Sequence, residues 1–125
     1  ETVAGNQTIN QKIAAYISAT HQRIGITNSE MGPLGCVVGA TNANVSHWRE
    51  KLPNSIFLMP GIGAQGGGWD AVKACLTVNG EGVWVPISRG ITHIKEPLNS
   101  RDEYIIAVTQ NLMTHYSNMQ SALNN

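Results

Sequence analysis

Three short apolar runs, each followed by a loop and a helical pattern, constrain the fold of this chain more than any other sequence feature. The runs cover residues 34–40, 56–59 and 82–87, and their starts lie 22 and 26 residues apart. Strands that alternate with helices at this spacing predict right-handed parallel crossovers. Apolar runs of this length suit strands that are buried on both faces of a parallel sheet.

Helical periodicity and capping signals place four helices between and around these runs. The predicted helices cover residues 7–23, 45–52, 69–78 and 100–123. Thr8 or Asn6 can cap the first helix, and Ser100 with Glu103 forms a capping box for the last. The predicted apolar face of the last helix consists of Ile105, Val108, Leu112, Tyr116 and Met119. The intervening segments 25–32, 60–68 and 88–97 are predicted to be loops.

A helix followed by three βα units makes an incomplete domain, because a sheet of three parallel strands leaves an edge open. A (β/α)₈ TIM barrel takes about 250 residues. The 125 residues therefore favour an α/β fold that is the C-terminal part of such a barrel, with residues 1–125 as a single partial-barrel domain. The chain begins at Glu1 without a methionine, so we expect an upstream segment. The alternative is a small open α/β sheet whose edges are covered.

Charge and cysteine content narrow the possible partners. Eight basic and eight acidic residues cancel, whereas a nucleic-acid or anionic-membrane surface needs a basic excess. No 18-residue apolar stretch and no signal peptide are visible, which predicts a cytoplasmic protein. Cys36 and Cys75 lack the spacing of metal ligands and are expected to be reduced packing residues.

The loop after the second run is rich in glycine and carries one long polar side chain. Five of the nine residues 60–68 are glycine, which permits positive φ angles and close approach of the backbone to a ligand. The helix predicted to begin near Trp69 adds the partial positive charge of its N-terminus. Gln65 can donate and accept hydrogen bonds at once, which suits a heterocyclic amide edge or a phosphate oxygen.

The loop after the third run carries an arginine with no acidic neighbour. Arg89 lies between Ser88 and Gly90, and no acidic residue occurs within six positions on either side. A charge beside an apolar strand is costly unless it is paired, and the guanidinium fork matches phosphate oxygens. The last two strand loops of a barrel are the usual phosphate site. Together the two loops predict phosphate binding.

These motifs resemble one enzyme family. The string Pro-Gly-Ile-Gly-Ala-Gln-Gly-Gly at residues 60–67, with Ser-Arg-Gly-Ile at residues 88–91, is similar to the orotidine 5'-phosphate decarboxylases whose seventh strand ends in a glycine-rich Gln loop. The string Leu-Gly-Cys-Val-Val-Gly-Ala-Thr at residues 34–41 resembles the sixth strand of that family. The resemblance spans about residues 33–92.

The resemblance implies a decarboxylase that converts orotidine 5'-phosphate to uridine 5'-phosphate in pyrimidine biosynthesis, without a metal or organic cofactor. It implies that Pro60 lies against the pyrimidine, that Gln65 bridges pyrimidine and phosphate, and that Arg89 clamps the phosphate. The substrate-binding residues implied in full are Pro60, Gly63, Ala64, Gln65, Gly66, Ser88, Arg89 and Gly90.

The catalytic half of such a site is not in this sequence. The family's Asp-x-Lys-x-x-Asp motif does not occur, and Asp70 with Lys73 reads as an exposed ion pair on a helix. We therefore expect no catalytic residue here, an inactive isolated chain, and remaining barrel strands from an upstream segment or a second chain. The family is usually homodimeric. The alternatives are a non-catalytic nucleotide- or phosphate-binding fragment and another phosphate-binding barrel enzyme, such as an isomerase or aldolase.

The histidines and tryptophans carry weaker signals. His21 and His115 lie on predicted helices without metal-like partners and are expected to be solvated or packed, whereas His93 could approach a ligand. The three tryptophans are expected to be packing residues.

Overall fold

The structure is a computed structural model that describes residues 3–4, 7–27, 30–63 and 66–124. Its strands are β1 (Val3–Ala4), β2 (Gln7–Thr8), β3 (Cys36–Val37), β4 (Phe57–Leu58) and β5 (Val83–Trp84). Its helices are α1 (Ile9–Arg23), α2 (Val45–Lys51), α3 (Trp69–Lys73), α4 (Arg89–Thr92) and α5 (Arg101–Asn124). The alternation of strands and helices predicted from the apolar runs is therefore present.

A parallel sheet with the strand order β3-β4-β5 forms the centre of the fold. The pairing continues beyond the short strands, because Val38 N–H donates to Leu58 O at 3.0 Å and Met59 N–H to Trp84 O at 2.8 Å. β1 and β2 form a separate antiparallel pair before α1. The predicted parallel connectivity is confirmed by this order.

The core lies on one face of the sheet. Phe57, Met59 and Cys75 are completely buried there, in a cluster that includes residues of α1, α2 and α3. The strands were expected to be buried on both faces, and that expectation is wrong. Side chains on the other face remain accessible: Val37 at 66%, Leu58 at 38% and Trp84 at 66%. The reason is that the helices cover one face alone, so Trp84 lies on the accessible face and does not pack in the core of this chain.

A buried arginine fastens the amino ends of β4 and β5. Arg49 of α2 is 9% exposed, and its guanidinium donates to five backbone carbonyl groups. The acceptors are Cys75 O at 2.7 Å, Leu52 O at 2.9 Å, Pro53 O at 3.3 Å, Ser55 O at 2.8 Å and Gly82 O at 2.8 Å. Ser55 lies two residues before β4 and Gly82 directly before β5, so one side chain joins two βα units.

The helices α1 and α3 are shorter than predicted, because a strand pair replaces the start of α1 and a turn follows the end of α3. α1 begins at Ile9 because residues 7–8 pair with β1, and Thr8 caps it in a capping box with Gln11. α3 ends at Lys73 rather than at residue 78, because Thr77 N–H donates to Glu81 O at 2.9 Å and closes a turn. That turn contains Gly80 with a φ of 76°, a conformation that favours glycine.

The packed side of α5 also differs from the predicted apolar face. Ile105, Leu112 and Tyr116 are 49%, 50% and 51% exposed, so the prediction is wrong for these three. Val108 and Met119 are partly buried, as predicted. The helix packs against α3 and α4 with a more polar side that contains Asn111 and His115.

Both cysteines are free thiols, as predicted. Burial raises the pKa of Cys75 and of Cys36 above the ordinary value of 9.0, and the nearby Arg49 charge opposes this rise in part. Within the described ranges, no helix is long and apolar enough to cross a membrane.

Candidate functional site

The two loops singled out by the sequence leave adjacent strands at the same edge of the sheet. Leu58 of β4 pairs in register with Trp84 of β5. Gly63 follows Leu58 by five residues, and Arg89 follows Trp84 by five residues. Because the carboxyl ends of parallel strands point the same way, the loops rise side by side from the sheet.

Hydrogen bonds within the first loop fix its shape. Gly63 N–H donates to Gly67 O at 3.0 Å, Gly66 N–H to Gly63 O at 3.0 Å, and Gly67 N–H to Gly61 O at 3.1 Å. The φ angles of Gly61, Gly63 and Gly66 are 102°, 72° and 81°, where side chains other than glycine are disfavoured. The glycines therefore give the loop its curvature, and the N–H groups of Gly63 and Gly66 are engaged inside it.

Two predicted site residues of this loop, Ala64 and Gln65, lie outside the described residues. Pro60 precedes the curved part and is half-buried, and its carbonyl group accepts from Ala40 N–H at 3.0 Å. The loop is thus attached to β4 through its own chain and to the end of β3 through this bond.

The second loop contains a helical turn that the sequence prediction missed. Residues 88–97 were predicted to be a loop, but Arg89–Thr92 form α4. Ser88 O accepts from the N–H groups of Ile91 and Thr92 at 2.9 Å each. A helix of four residues that contains a glycine is too short to show a helical period in the sequence. Hydrogen bonds from α5 stabilise this helix.

Arg89 and two further basic side chains line a cleft between α4 and α5. The cleft has a volume of about 630 Å³ and is lined by Arg89, His93, Lys95, Glu96 and neighbouring residues. Arg89 is exposed, and no ion pair joins it to any described residue. An unpaired guanidinium at a strand end can bind an anion such as phosphate.

Side chains of α5 donate hydrogen bonds to backbone carbonyl groups of α4. Tyr104 Oη donates to Thr92 O at 3.1 Å, and Asn111 Nδ2 donates to Ile91 O at 3.1 Å. His115, one turn beyond Asn111, reaches both loops: a Cβ added to Gly90 would lie 2.8 Å from its Nε2 atom, and one added to Gly63 would lie 3.4 Å from its Cε1 atom. No sequence pattern predicted this proximity.

The remaining polar candidates lie elsewhere. His21 is 3% exposed, and its Nε2 atom accepts from Leu34 N–H at 3.3 Å, which confirms it as a packed residue. Asp70 and Lys73 are both exposed on α3, but no ion pair joins these two described residues, so the predicted pair is wrong. In the described part of the chain, no three His, Cys, Asp or Glu side chains are grouped as metal ligands would be.

Comparison with known proteins finds relatives that are named orotidine 5'-phosphate decarboxylase. The chain is 35% identical over 118 residues to the orotidine 5'-phosphate decarboxylase of Rhodopirellula baltica, which covers 94% of this chain and 35% of that protein. It is 46% identical over 61 residues to the decarboxylase of the same name from Caldicellulosiruptor bescii, covering 48% of this chain and 20% of that protein. The chain thus spans about a third or less of these relatives. No protein-family model matches it.

Solved structures agree with the sequence relatives. The structure of Leishmania donovani UMP synthase superimposes with a TM-score of 0.60 at 27% identity, over 89% of this chain and 23% of that chain. A putative orotidine-monophosphate decarboxylase from Toxoplasma gondii gives a TM-score of 0.60 at 22% identity, over 91% of this chain and 42% of that one. The predicted similarity to orotidine 5'-phosphate decarboxylases is confirmed, as is an α/β fold that forms part of a (β/α)₈ barrel.

Proposed function

We propose that this chain supplies the phosphate- and pyrimidine-binding part of an orotidine 5'-phosphate decarboxylase, which converts orotidine 5'-phosphate to uridine 5'-phosphate and CO₂. The observation that carries the proposal is the 35% identity to a decarboxylase of that name over 94% of this chain. The arrangement of the two loops supports it, because both follow adjacent parallel strands at the edge where barrel enzymes bind phosphate.

In this proposal the residues of the two loops bind different parts of the ligand. Arg89 binds the phosphate group through its unpaired guanidinium, and the backbone at Ser88 and Gly90 completes that contact. Gln65 bridges the phosphate and the pyrimidine, and Pro60 packs against the pyrimidine ring. The shape of the first loop depends on Gly63, Ala64 and Gly66. Binding energy from the phosphate, remote from the bond that breaks, can then stabilise the closed site and the transition state.

The catalytic lysine and aspartates belong to barrel strands outside this chain. Support comes from the accessible face of the sheet, where Val37 and Trp84 are each 66% exposed, since apolar side chains inside a complete barrel pack in layers against those of other strands. We propose that residues 1–125 form one partial-barrel domain, that the complete enzyme is a cytoplasmic homodimer, and that it needs no cofactor. The isolated chain would then bind without turning over its substrate.

The test compares ligands that differ in the phosphate alone, in the whole protein that contains this chain. Calorimetry with uridine 5'-phosphate and with uridine should show selective binding of the phosphorylated form. Arg89→Ala should weaken binding of uridine 5'-phosphate by about 10- to 100-fold, because a hydrogen bond to a charged group contributes about 1.5–3 kcal/mol, and should leave uridine binding unchanged.

Arg23→Ala is the matched control, because Arg23 is an exposed arginine at the end of α1. It removes the same charge without touching either loop. Release of CO₂ from orotidine 5'-phosphate by the whole protein completes the test. Phosphate-selective binding without any turnover would instead favour a non-catalytic nucleotide-binding protein, and equal affinity for uridine and its phosphate would reject the assignment.

A further inference from the structure

His115 of α5 lies close to both loops of the candidate site. Its Nε2 and Cε1 atoms form the edge of the imidazole ring that faces Gly90 and Gly63. These glycines belong to loops on different strands and are 27 residues apart in the sequence. The same edge of the ring therefore lies next to both loops.

The contacts of α5 with α4 fix the position of that ring. Tyr104 and Asn111 donate hydrogen bonds to the carbonyl groups of Thr92 and Ile91, near the end of α4. His115 lies on the same side of α5 as Asn111, four residues further along, and reaches Gly90 near the start of α4. α5 thus supports the whole of α4, and His115 is the point at which this support extends to the first loop.

The absence of a side chain at position 90 fits this arrangement. A Cβ atom there would lie 2.8 Å from His115 Nε2 and 3.2 Å from Ile87 Cγ2. Gly90 shows no positive φ, so its backbone conformation alone does not call for glycine. A larger residue at position 90 would instead require the imidazole ring, and to a lesser extent the Ile87 side chain, to move.

We propose that His115 is a positioning residue that sets the separation of the Gly63 loop and the Arg89 loop, and thereby the geometry of the phosphate clamp. The inference rests on the proposed function, because it assigns His115 to the phosphate half of that site. His115 acts through the two loops and not on the reacting atoms. Its loss should let the loops shift, and a shifted guanidinium can no longer meet the phosphate oxygens in the fork geometry that makes this contact strong.

The first experiment measures phosphate selectivity in the whole protein. His115→Ala should weaken binding of uridine 5'-phosphate about tenfold, with little change for uridine, and should raise KM for orotidine 5'-phosphate more than it lowers kcat. Met119→Ala is the matched control, since Met119 is a partly buried residue one turn further on the same helix. A merely structural role would lower Tm in both variants and leave the preference for the phosphorylated ligand unchanged in both.

The second experiment asks whether the ring is the obstacle at position 90. Gly90→Ala should lose selective binding, and the double variant Gly90→Ala with His115→Ala should regain part of it, because the clashing ring is gone. Gly63→Ala should not be rescued in this way, since its φ of 72° disfavours any side chain. Thermal unfolding of each variant verifies that it folds.

The outcomes separate the two proposals. If the wild-type protein prefers uridine 5'-phosphate but His115→Ala keeps that preference, or if it fails to relieve Gly90→Ala, the role of His115 is rejected and the proposed function stands. If the wild-type protein binds both ligands equally, the proposed function is rejected, and the role of His115 with it.

Discussion

The guanidinium carbon of Arg49 lies 4.0 Å from the centroid of the Phe57 ring, so a buried cation rests on the largest fully buried side chain of the core. The contact has the geometry of a cation–π interaction. All the hydrogen-bond acceptors of this arginine are backbone carbonyl groups, and its burial lowers its pKa. Arg49 therefore serves the fold and not the ligand.

Arg49→Ala should be strongly destabilising. The change leaves five buried or partly buried carbonyl groups without their donor and opens a cavity beside Phe57, so we expect the free energy of unfolding to fall by at least about 3 kcal/mol. Arg49→Lys keeps the charge but loses the fork and should be intermediate. Urea unfolding measures both, with Arg23→Ala as the exposed control. A loss below 1 kcal/mol for Arg49→Ala would contradict this role.

Neighbouring residues Asn54 and Ser55 should respond in opposite ways to alanine. Asn54 Nδ2 donates to Thr27 O at 2.6 Å and Glu30 O at 2.8 Å, so Asn54→Ala should cost about 1–3 kcal/mol. The Ser55 hydroxyl is fully buried and has no hydrogen-bond partner among the described residues. Ser55→Ala should therefore be neutral or slightly stabilising in the same unfolding assay, and a clear loss of stability would show that the hydroxyl has a partner.

Gly67→Ala should displace the first loop. A Cβ atom at this position would lie 2.5 Å from Ala40 Cβ and 2.8 Å from Gly61 O, and backbone atoms cannot move aside cheaply. We expect a loss of about 1–3 kcal/mol in stability together with weaker binding of uridine 5'-phosphate. Gly39→Ala is the control, because nothing lies within 4 Å of an added Cβ there. Equal behaviour of the two variants would contradict the prediction.

The buried thiols should make stability depend on alkaline pH. The pKa of Cys75 is raised by burial above 9.0 in the folded chain, so the folded state keeps the proton where the unfolded state releases it. The resulting stabilisation is present below about pH 9 and is lost as the pH rises through the folded-state value. Urea unfolding at pH 8 and pH 10.5 should show a smaller decline for Cys75→Ala than for the wild-type chain, and equal declines would contradict the assignment.

The sequence was sufficient for those features that depend on local pattern. The alternation of β3, β4 and β5 with α1, α2, α3 and α5 was predicted, because periodicity is a local signal. The free thiols were predicted too, and Thr8 was one of two predicted caps of α1. The β1–β2 pair was missed, since residues 7–8 were assigned to the first helix. Three features depend on tertiary contacts and were missed: the helical turn of α4, the packed side of α5 and the place of His115. The accessible strand face was also missed, because an apolar run does not reveal which of its faces a helix will cover.

The position of Arg49 has a consequence for how the molecule can change over evolution. Two of its acceptors, Ser55 and Gly82, stand just before β4 and β5, whereas the loops at residues 61–68 and 88–90 come just after them. The arginine that holds the units together and the loops proposed to bind the ligand thus lie at opposite ends of the same strands. The loops at residues 61–68 and 88–90 can therefore change in sequence while Arg49 keeps the strands joined at their other end.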